Sequence, residues 1–226
     1  MFDFHLFLSA VFGWPLFQGA IITVLLCAAV QITSLLISLG TASLATSPRW
    51  WMRKLIAAYV WLFRGTPALL VLLFIWNGLP QLFSIFRSPW FSPFLAAYIA
   101  LTLIQVAYVT EVLRSAYGAV GLGQREGAQA LGLRRWHVFT YVVLPQALRI
   151  ATPALVNELI SLLKTTSLAT VISLTELMTV SSLAIATSFR FLEWYTAVLV
   201  YYLTMVAVLT IIQSKVEQIF SKGYSR

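Results

Sequence analysis

Residues 17–45 read FQGAIITVLLCAAVQITSLLISLGTASLA, an apolar run that contains no Asp, Glu, Lys or Arg. A membrane-crossing α-helix needs about 20 mostly apolar residues, so this run is long enough to form one. The charge-free stretch starts earlier, at Phe4, and ends only at Pro48. Gly13-Trp14-Pro15 is expected to break it, which predicts a short surface segment ahead of the first span.

The composition of the whole chain agrees with a membrane protein. Of its 226 residues, 60% are hydrophobic and only 10% are charged, whereas a soluble domain carries about 25% charged residues. A water-soluble globule cannot hide this much apolar surface, because about half of its residues face solvent. This balance excludes a soluble enzyme and a disordered tail. With Cys27 as the single cysteine, a disulfide scaffold is excluded as well.

Further apolar runs predict four more spans and, with them, the fold class. These runs lie at about 57–80, 94–113, 151–172 and 193–213, whereas the segment at 114–150 is too polar to enter lipid. We therefore predict an all-α membrane protein with five transmembrane helices. A single domain is expected to take up all 226 residues.

Basic residues are distributed unevenly between the predicted loops. Eleven of the fifteen fall in the first loop, in the 114–150 segment and in the C-terminal tail, which share one side of the membrane. Only Arg87 and Arg190 fall on the opposite side, and Arg64 and Lys164 lie within or near the membrane. The positive-inside rule then predicts a cytoplasmic 114–150 segment, an external N-terminus and a cytoplasmic C-terminus.

The most patterned part of this segment is GQREGAQALGLRRWHVFTYVVLPQA, residues 123–147. Helix formers at 126–131 are followed by Gly132, which suits a left-handed helix stop. A second apolar-rich piece follows at 136–143, with a proline just beyond it. The pattern predicts a short helix, a tight turn and a second helix. One face of it is too apolar to be left in water, so it packs either on a cytoplasmic protein or on its own helix bundle.

This stretch resembles the signature cytoplasmic loop of ABC importer permeases. The family pattern is Glu-Ala-Ala, three residues, Gly, nine residues, Ile, one residue and Leu-Pro. Gly127 replaces the first Ala and Val142 replaces Ile, so the small and the branched apolar character are retained. The matching residues are Glu126, Gly127, Ala128, Gly132, Val142, Leu144 and Pro145.

Three further motifs extend the resemblance to the polar amino acid branch of the family, the histidine, arginine and glutamine type. They are FRGTPALLVLLF at 63–74, YVTEVLR at 108–114 and LKTTSLA at 163–169. Together the similarity covers most of residues 17–215. It implies the type I importer permease fold, with five spans and a cytoplasmic coupling-helix loop at 114–150.

In this family the loop docks as a coupling helix into a groove on a cytoplasmic ATPase. Glu126 could then pair with a basic group, while the small Ala128 and Gly132 would allow close backbone approach. Leu131 and Trp136 offer apolar anchors of the kind that carry interface energy. The implied coupling residues are Glu126, Gly127, Ala128, Leu131, Gly132, Trp136, Leu144 and Pro145.

The resemblance also implies the partners of the chain. They are a cytoplasmic ABC ATPase dimer, a second permease subunit that is identical or homologous, an external solute-binding protein, an amino acid substrate and the lipid bilayer, with no nucleic acid. The sequence has no Gly-x-x-x-x-Gly-Lys-Ser/Thr loop. We therefore expect a non-catalytic subunit without a cofactor of its own, with ATP and Mg bound by the partner ATPase, and no metal site.

Polar residues inside the predicted spans are candidates for lining a transport path, because charges within a bilayer usually face a cavity or a partner. At about 100° per residue, Asn157, Ser161 and Lys164 share one helix face, and Glu158 and Thr165 share the neighbouring one. An acid and a base there could meet the ammonium and carboxylate of an amino acid. The alternative is an ion pair or a subunit contact that fixes packing. Further candidates are Arg64, Thr110 and Glu111, the last of which could also pair with Arg114.

Taken together, these features predict the permease subunit of an ATP-driven importer in a bacterial inner membrane. The Asn157-Glu158 pair resembles histidine and arginine permeases, which favours a polar and preferably basic amino acid, with glutamine and opines left open. One alternative is a stand-alone ion-coupled carrier or channel, which should show an inverted repeat. Another is an intramembrane hydrolase, which needs a nucleophile–base pair at membrane depth. No such repeat is evident, and His5 and His137 lie outside the spans.

Overall fold

The computed structural model describes residues 2–221, and the regular structure in this range is helical throughout. This confirms the predicted all-α class. The basic residues Lys222 and Arg226 of the predicted tail lie outside the described residues. The helices are α1 (Phe4–Val11), α2 (Trp14–Ala45), α3 (Trp50–Gly65), α4 (Ala68–Leu82), α5 (Pro93–Ala119), α6 (Leu122–Ala130), α7 (Arg135–Ile172), α8 (Leu177–Ser188) and α9 (Phe191–Ser221).

Four helices, α2, α5, α7 and α9, are long and apolar enough to cross a membrane. Helices α3 and α4 together form a fifth candidate span that is bent by 100°. The sequence predicted one span at 57–80, a range that contains Pro67. The structure instead starts α3 at Trp50 and breaks it completely, because Thr66 is extended (φ −94°, ψ 131°). A residue before proline is disfavoured in the α region, which explains the break.

Helix α7 is continuous across the boundary at which the coupling loop was predicted to end and the 151–172 span to begin. Pro145 lies inside it rather than punctuating it. The turn just before this proline is π-helical, from Val138 to Val143. Proline has no N–H, and its ring crowds the carbonyl four residues back, so a wider turn lets the helix pass through. The helix ends at Ile172, and Ser173 directly after it adopts a left-handed conformation (φ 59°).

The break at Gly13 separates α2 from the short helix α1, which is the predicted surface segment. Helix α1 packs against α9. The Tyr201 hydroxyl donates to the Val11 carbonyl at 2.8 Å, and the Asp3 amide donates to Glu193 at 2.9 Å. These long-range bonds hold α1 to the start of the last span.

The centre of the bundle is the pair α2 and α5, and polar side chains join the two helices. Gln105 donates to Gln31 at 3.0 Å, and Thr110 donates to Ser38 at 3.3 Å. Thr41 and Thr110 share a hydrogen bond of 2.5 Å. Lipid offers these groups no partners, so the bonds between helices fix the register of the pair.

Helix α8 lies between the predicted spans at 151–172 and 193–213, where the sequence analysis assigned no helix. Glu176 caps it, accepting from the amides of Met178 (3.0 Å) and Thr179 (2.8 Å). The Leu177 amide donates to Thr23 of α2 at 3.3 Å, which brings the two backbones together. Gly19 permits this approach, since a Cβ there would lie 2.9 Å from the Leu177 Cα.

Gly19→Ala is therefore expected to destabilise the chain by about 1–3 kcal/mol, the usual cost of overpacking a well-packed core. Because the clash is with backbone, a change of rotamer cannot relieve it. Thermal unfolding of the purified protein in detergent measures the effect. Gly40→Ala on the same helix is the control, since a Cβ there meets nothing within 4 Å. Equal melting temperatures for the two variants would contradict the proposed contact.

Candidate coupling surface and transport path

The short helix α6 ends in a left-handed turn at Gly132, which has φ +81°. The Leu133 amide donates to the Ala128 carbonyl at 3.2 Å, and the Gly132 amide donates to the Gln129 carbonyl at 2.9 Å. These two bonds form a Schellman motif, in which glycine carries the positive φ without steric cost. The turn reverses the chain into α7 and matches the predicted helix–turn–helix.

The inner side of α6 is fixed to its own bundle. Ala128 is buried and packs in a cluster with Val120, Val138, Val143 and Ala147. The guanidinium of Arg125 lies 4.4 Å from the ring centroid of Tyr117 on α5, and also donates to the Tyr117 carbonyl. The structure thus places Ala128, one of the predicted coupling residues, against α7. Its small side chain permits close packing within the chain rather than approach of a partner.

The outer side of α6 is open. Glu126 and Gly127 are exposed, and Leu131 is 85% exposed. Within residues 2–221, no side chain forms a hydrogen bond or ion pair with the Glu126 carboxylate. An unpaired carboxylate beside an exposed leucine, on a rigidly anchored helix, is a surface suited to a protein partner.

The remaining predicted coupling residues lie on α7. Leu144 is half-buried and Pro145 is exposed, both at the end of the π-helical turn. Gln146, next to them, donates to Gln124 of α6 at 3.4 Å. Trp136 is exposed and lies 5.9 Å from Phe139, ring centroid to ring centroid. The structure therefore places Glu126, Gly127 and Leu131 on the outer face of α6. Three other predicted coupling residues, Trp136, Leu144 and Pro145, lie on α7 instead.

The predicted polar face of α7 is present. Asn157, Ser161 and Lys164 are all exposed in the single chain, although they lie in a membrane-crossing helix. Glu158, on the neighbouring face, is half-buried. Thr165 is half-buried as well, and its hydroxyl donates to the Ser161 carbonyl at 2.8 Å, so it is already satisfied within the helix.

Arg64 lies in the last turn of α3, directly before the 100° bend. Its guanidinium carbon is 5.4 Å from the ring centroid of Tyr108 on α5. It is close enough to interact electrostatically with two carboxylates, Glu111 on α5 and Glu158 on α7. The broken helix thus ends in a cation that is within electrostatic range of acidic residues on two other helices.

Glu111 and Arg114 form the predicted ion pair at the end of α5, with Arg114 Nε 2.8 Å from Glu111 Oε2. Both line a groove of about 450 Å³ that also includes Arg53, Trp61 and Arg64. Thr110 touches the floor of this groove but is 0% exposed, and its hydroxyl bonds to α2. This placement favours helix packing over substrate contact for Thr110.

Sequence reasoning missed the buried polar residues that hold the helices together, Gln31 and Glu176 above all. Glu176 carried a usable signal, since a lone carboxylate directly before an apolar helix-length run is typical of an N-cap. Gln31 carried none, because its partner Gln105 is distant in sequence. In the part of the chain that the structure describes, no group of three His, Cys, Asp or Glu side chains could hold a metal ion.

Residues 34–222 match the family described as the binding-protein-dependent transport system inner membrane component. The chain belongs to this family. As a permease it resembles the glutamine transport system permease protein GlnP of Escherichia coli K12, at 35% identity over 91% of this chain and 94% of the relative. It is also 40% identical to the arginine transport system permease protein ArtQ of Bacillus subtilis, over 71% of each chain.

A solved structure agrees with the sequence relatives. The crystal structure of an amino acid ABC transporter with histidines matches the permease with a TM-score of 0.84 and 32% identity, over 94% of this chain and 97% of that chain. The resemblance predicted from the loop motif is thereby confirmed. These relatives favour an ABC importer permease over a stand-alone carrier or channel.

Proposed function

We propose that this permease is the membrane-spanning subunit of an ATP-driven importer that takes up a polar amino acid, with a basic one favoured. The observation that carries the proposal is the exposed polar face of α7, formed by Asn157, Ser161 and Lys164. Such groups are costly in contact with lipid. The polar groups of this face can form hydrogen bonds with water if the face lines a water-filled path shared with another subunit.

Glu158 is the residue that favours a basic substrate. Its carboxylate forms no ion pair within 4 Å in residues 2–221, and Arg64 acts on it only at longer range. A half-buried carboxylate without a close counterion is suited to an α-ammonium or a guanidinium group. Lys164, one helix face away, would meet the substrate carboxylate. The glutamine and arginine named for the two relatives are both polar amino acids.

The energy for transport would come from a cytoplasmic ABC ATPase dimer docked on the outer face of α6. ATP and Mg would be bound there, and this chain would remain non-catalytic. Docking would use Glu126 for a charged contact and Leu131 as an apolar anchor. Closure of the ATPases would move α6, and the rigid contacts of Ala128 and Arg125 would carry the motion into α7 and α5.

One chain cannot enclose the path by itself, because the polar face of α7 is open in the single subunit. A second permease subunit, identical or homologous, would close it, and an external solute-binding protein would deliver the amino acid. The experiment that tests the function is purification of the complex and its reconstitution in liposomes. We expect one amino acid, loaded on the binding protein, to stimulate ATP hydrolysis and uptake. Stimulation by no amino acid would overturn the proposal.

The proposed orientation, with the N-terminus outside and α6 in the cytoplasm, predicts one-sided chemical labelling. Cys27 is buried, so the native chain gives little background for a thiol reagent. A membrane-impermeant maleimide should label Gln129→Cys on α6 only after the cells are permeabilised. It should label Ser84→Cys, in the loop after α4, in intact cells. Labelling of Gln129→Cys in intact cells would reverse the topology.

A further inference from the structure

A groove of about 410 Å³ lies between the end of α2, the end of α5 and the beginning of α7. Its walls include Leu39, Leu113, Phe139 and Leu148, of which Leu39 is 52% exposed. Arg135 and Trp136 lie at the same groove. We call it the α7 entry groove. Neither the outer face of α6 nor the polar face of α7 borders on it.

We propose that the α7 entry groove binds an anionic phospholipid of the inner leaflet, with an acyl chain along the leucines and the phosphate at Arg135. All three walls come from membrane-crossing helices, and α2 ends at Ala45, just before the basic residues Arg49 and Arg53. The groove therefore lies where these helices leave the bilayer, on the side that the proposed topology makes cytoplasmic.

The positive charge of Arg135 favours a lipid with an anionic headgroup. Arg135 is exposed, and no residue in the described range 2–221 accepts a hydrogen bond or ion pair from its guanidinium. A basic group at the mouth of an apolar groove between transmembrane helices matches the two ends of an anionic lipid. A second permease subunit in the groove would have to supply an acidic group for this cation, whereas an anionic lipid carries one in its headgroup.

The groove is connected to α6 by a chain of ring contacts. The rings of Trp136 and Phe139 are 5.9 Å apart between centroids, and those of Phe139 and Tyr117 are 6.0 Å apart. Arg125 of α6 stacks on Tyr117 at 4.4 Å. A lipid bound against Trp136 and Phe139 would restrict the motion of α6 at Arg125, where this chain of contacts ends. This consequence depends on the proposed coupling role of α6, whereas lipid binding itself does not.

Native mass spectrometry of the intact purified complex tests the proposal, with phosphatidylglycerol and phosphatidylcholine as probes. Arg135→Gln should lower retention of phosphatidylglycerol about fivefold, the effect of one basic residue near a charged membrane surface. Ala42→Trp, which fills the groove, should lower it further. Arg134→Gln is the matched control. Arg134 is exposed and is next to Arg135 in the sequence, but it does not line the groove. That variant should retain lipid as the native chain does.

The other possible results of these experiments would contradict the proposal. Equal retention by the native chain and Arg135→Gln, or equal binding of phosphatidylcholine, would overturn the headgroup assignment. If Ala42→Trp dissociates the permease subunits or releases the ATPase while the chain stays folded, the groove is a protein interface and the proposal fails. Because lipid retention is read without transport, a transporter that is inactive for other reasons still gives an answer.

Discussion

Glu126→Arg is expected to lower binding of the ATPase, and with it uptake, at least about a hundredfold. The Glu126 carboxylate is exposed on α6 and unpaired within the described chain, so the helix itself loses nothing when it is replaced. At a docked interface the new cation would face the basic group that Glu126 is proposed to meet. Like charges opposed across an interface cost several kcal/mol, and about 2.7 kcal/mol corresponds to a hundredfold. Co-purification of the ATPase and uptake by proteoliposomes measure the loss.

Two controls separate docking from folding. Glu217→Arg makes the same change of charge at a carboxylate of α9 that is not among the predicted coupling residues, and should leave ATPase binding unaltered. Glu126→Gln removes the attraction without adding repulsion, so its loss should be smaller than that of Glu126→Arg. The variant chain should still insert and elute as a single species. A Glu126→Arg complex that assembles and transports normally would remove α6 from the coupling role.

The span boundaries that the sequence predicted best are those set by hydropathy and by basic residues rather than by contacts with other helices. The first span was predicted to end at Ala45, where α2 does end, because hydropathy and the following basic residues set that boundary. The last span, predicted at 193–213, lies within α9. By contrast, composition cannot show that α3 and α4 meet at 100°, although Pro67 marked the place. Nor can it show that a π-helical turn carries α7 through Pro145.

The candidate site shows the same division between local and long-range information. Helical periodicity correctly placed Asn157, Ser161 and Lys164 on one face, because that prediction uses only geometry within α7. Ala128 and Thr110 could not be oriented in this way. Which side of a helix is buried depends on the elements packed against it, here α7 for Ala128 and α2 for Thr110.

The bend at Pro67 directly follows Arg64, the cation in the last turn of α3. This cation lies at the end of α3, where the helix dipole is negative, and interacts with Glu111 and Glu158. Glu111 already has Arg114 as a close partner. Within residues 2–221 Glu158 has no close ion-pair partner, so a passing cationic group would compete there with the more distant Arg64. The arrangement leaves Glu158 as the acidic residue of the path that is most available to a substrate.

Glu158→Gln is expected to lower uptake of a basic amino acid about tenfold to a hundredfold. Gln keeps the shape and the hydrogen-bonding capacity of the side chain and removes its charge. The loss then equals the charge-assisted part of the contact, about 1.5–3 kcal/mol. Uptake of a neutral polar amino acid should change less, because it has no side-chain cation to meet residue 158. Initial rates of uptake, and ATP hydrolysis stimulated by the loaded binding protein, measure both substrates.

The role of Glu158 is decided by comparing the uptake of basic and of neutral amino acids by the Glu158→Gln variant. A purely structural role would lower the rates for basic and neutral amino acids by the same factor, together with the melting temperature of the complex. A role in the path lowers the rate for the basic one selectively and leaves stability unchanged. Glu217→Gln, the same substitution in α9, should alter neither rate. Unchanged kinetics of Glu158→Gln with every amino acid tried would exclude this carboxylate from the path and leave Lys164 and Asn157 as its polar lining.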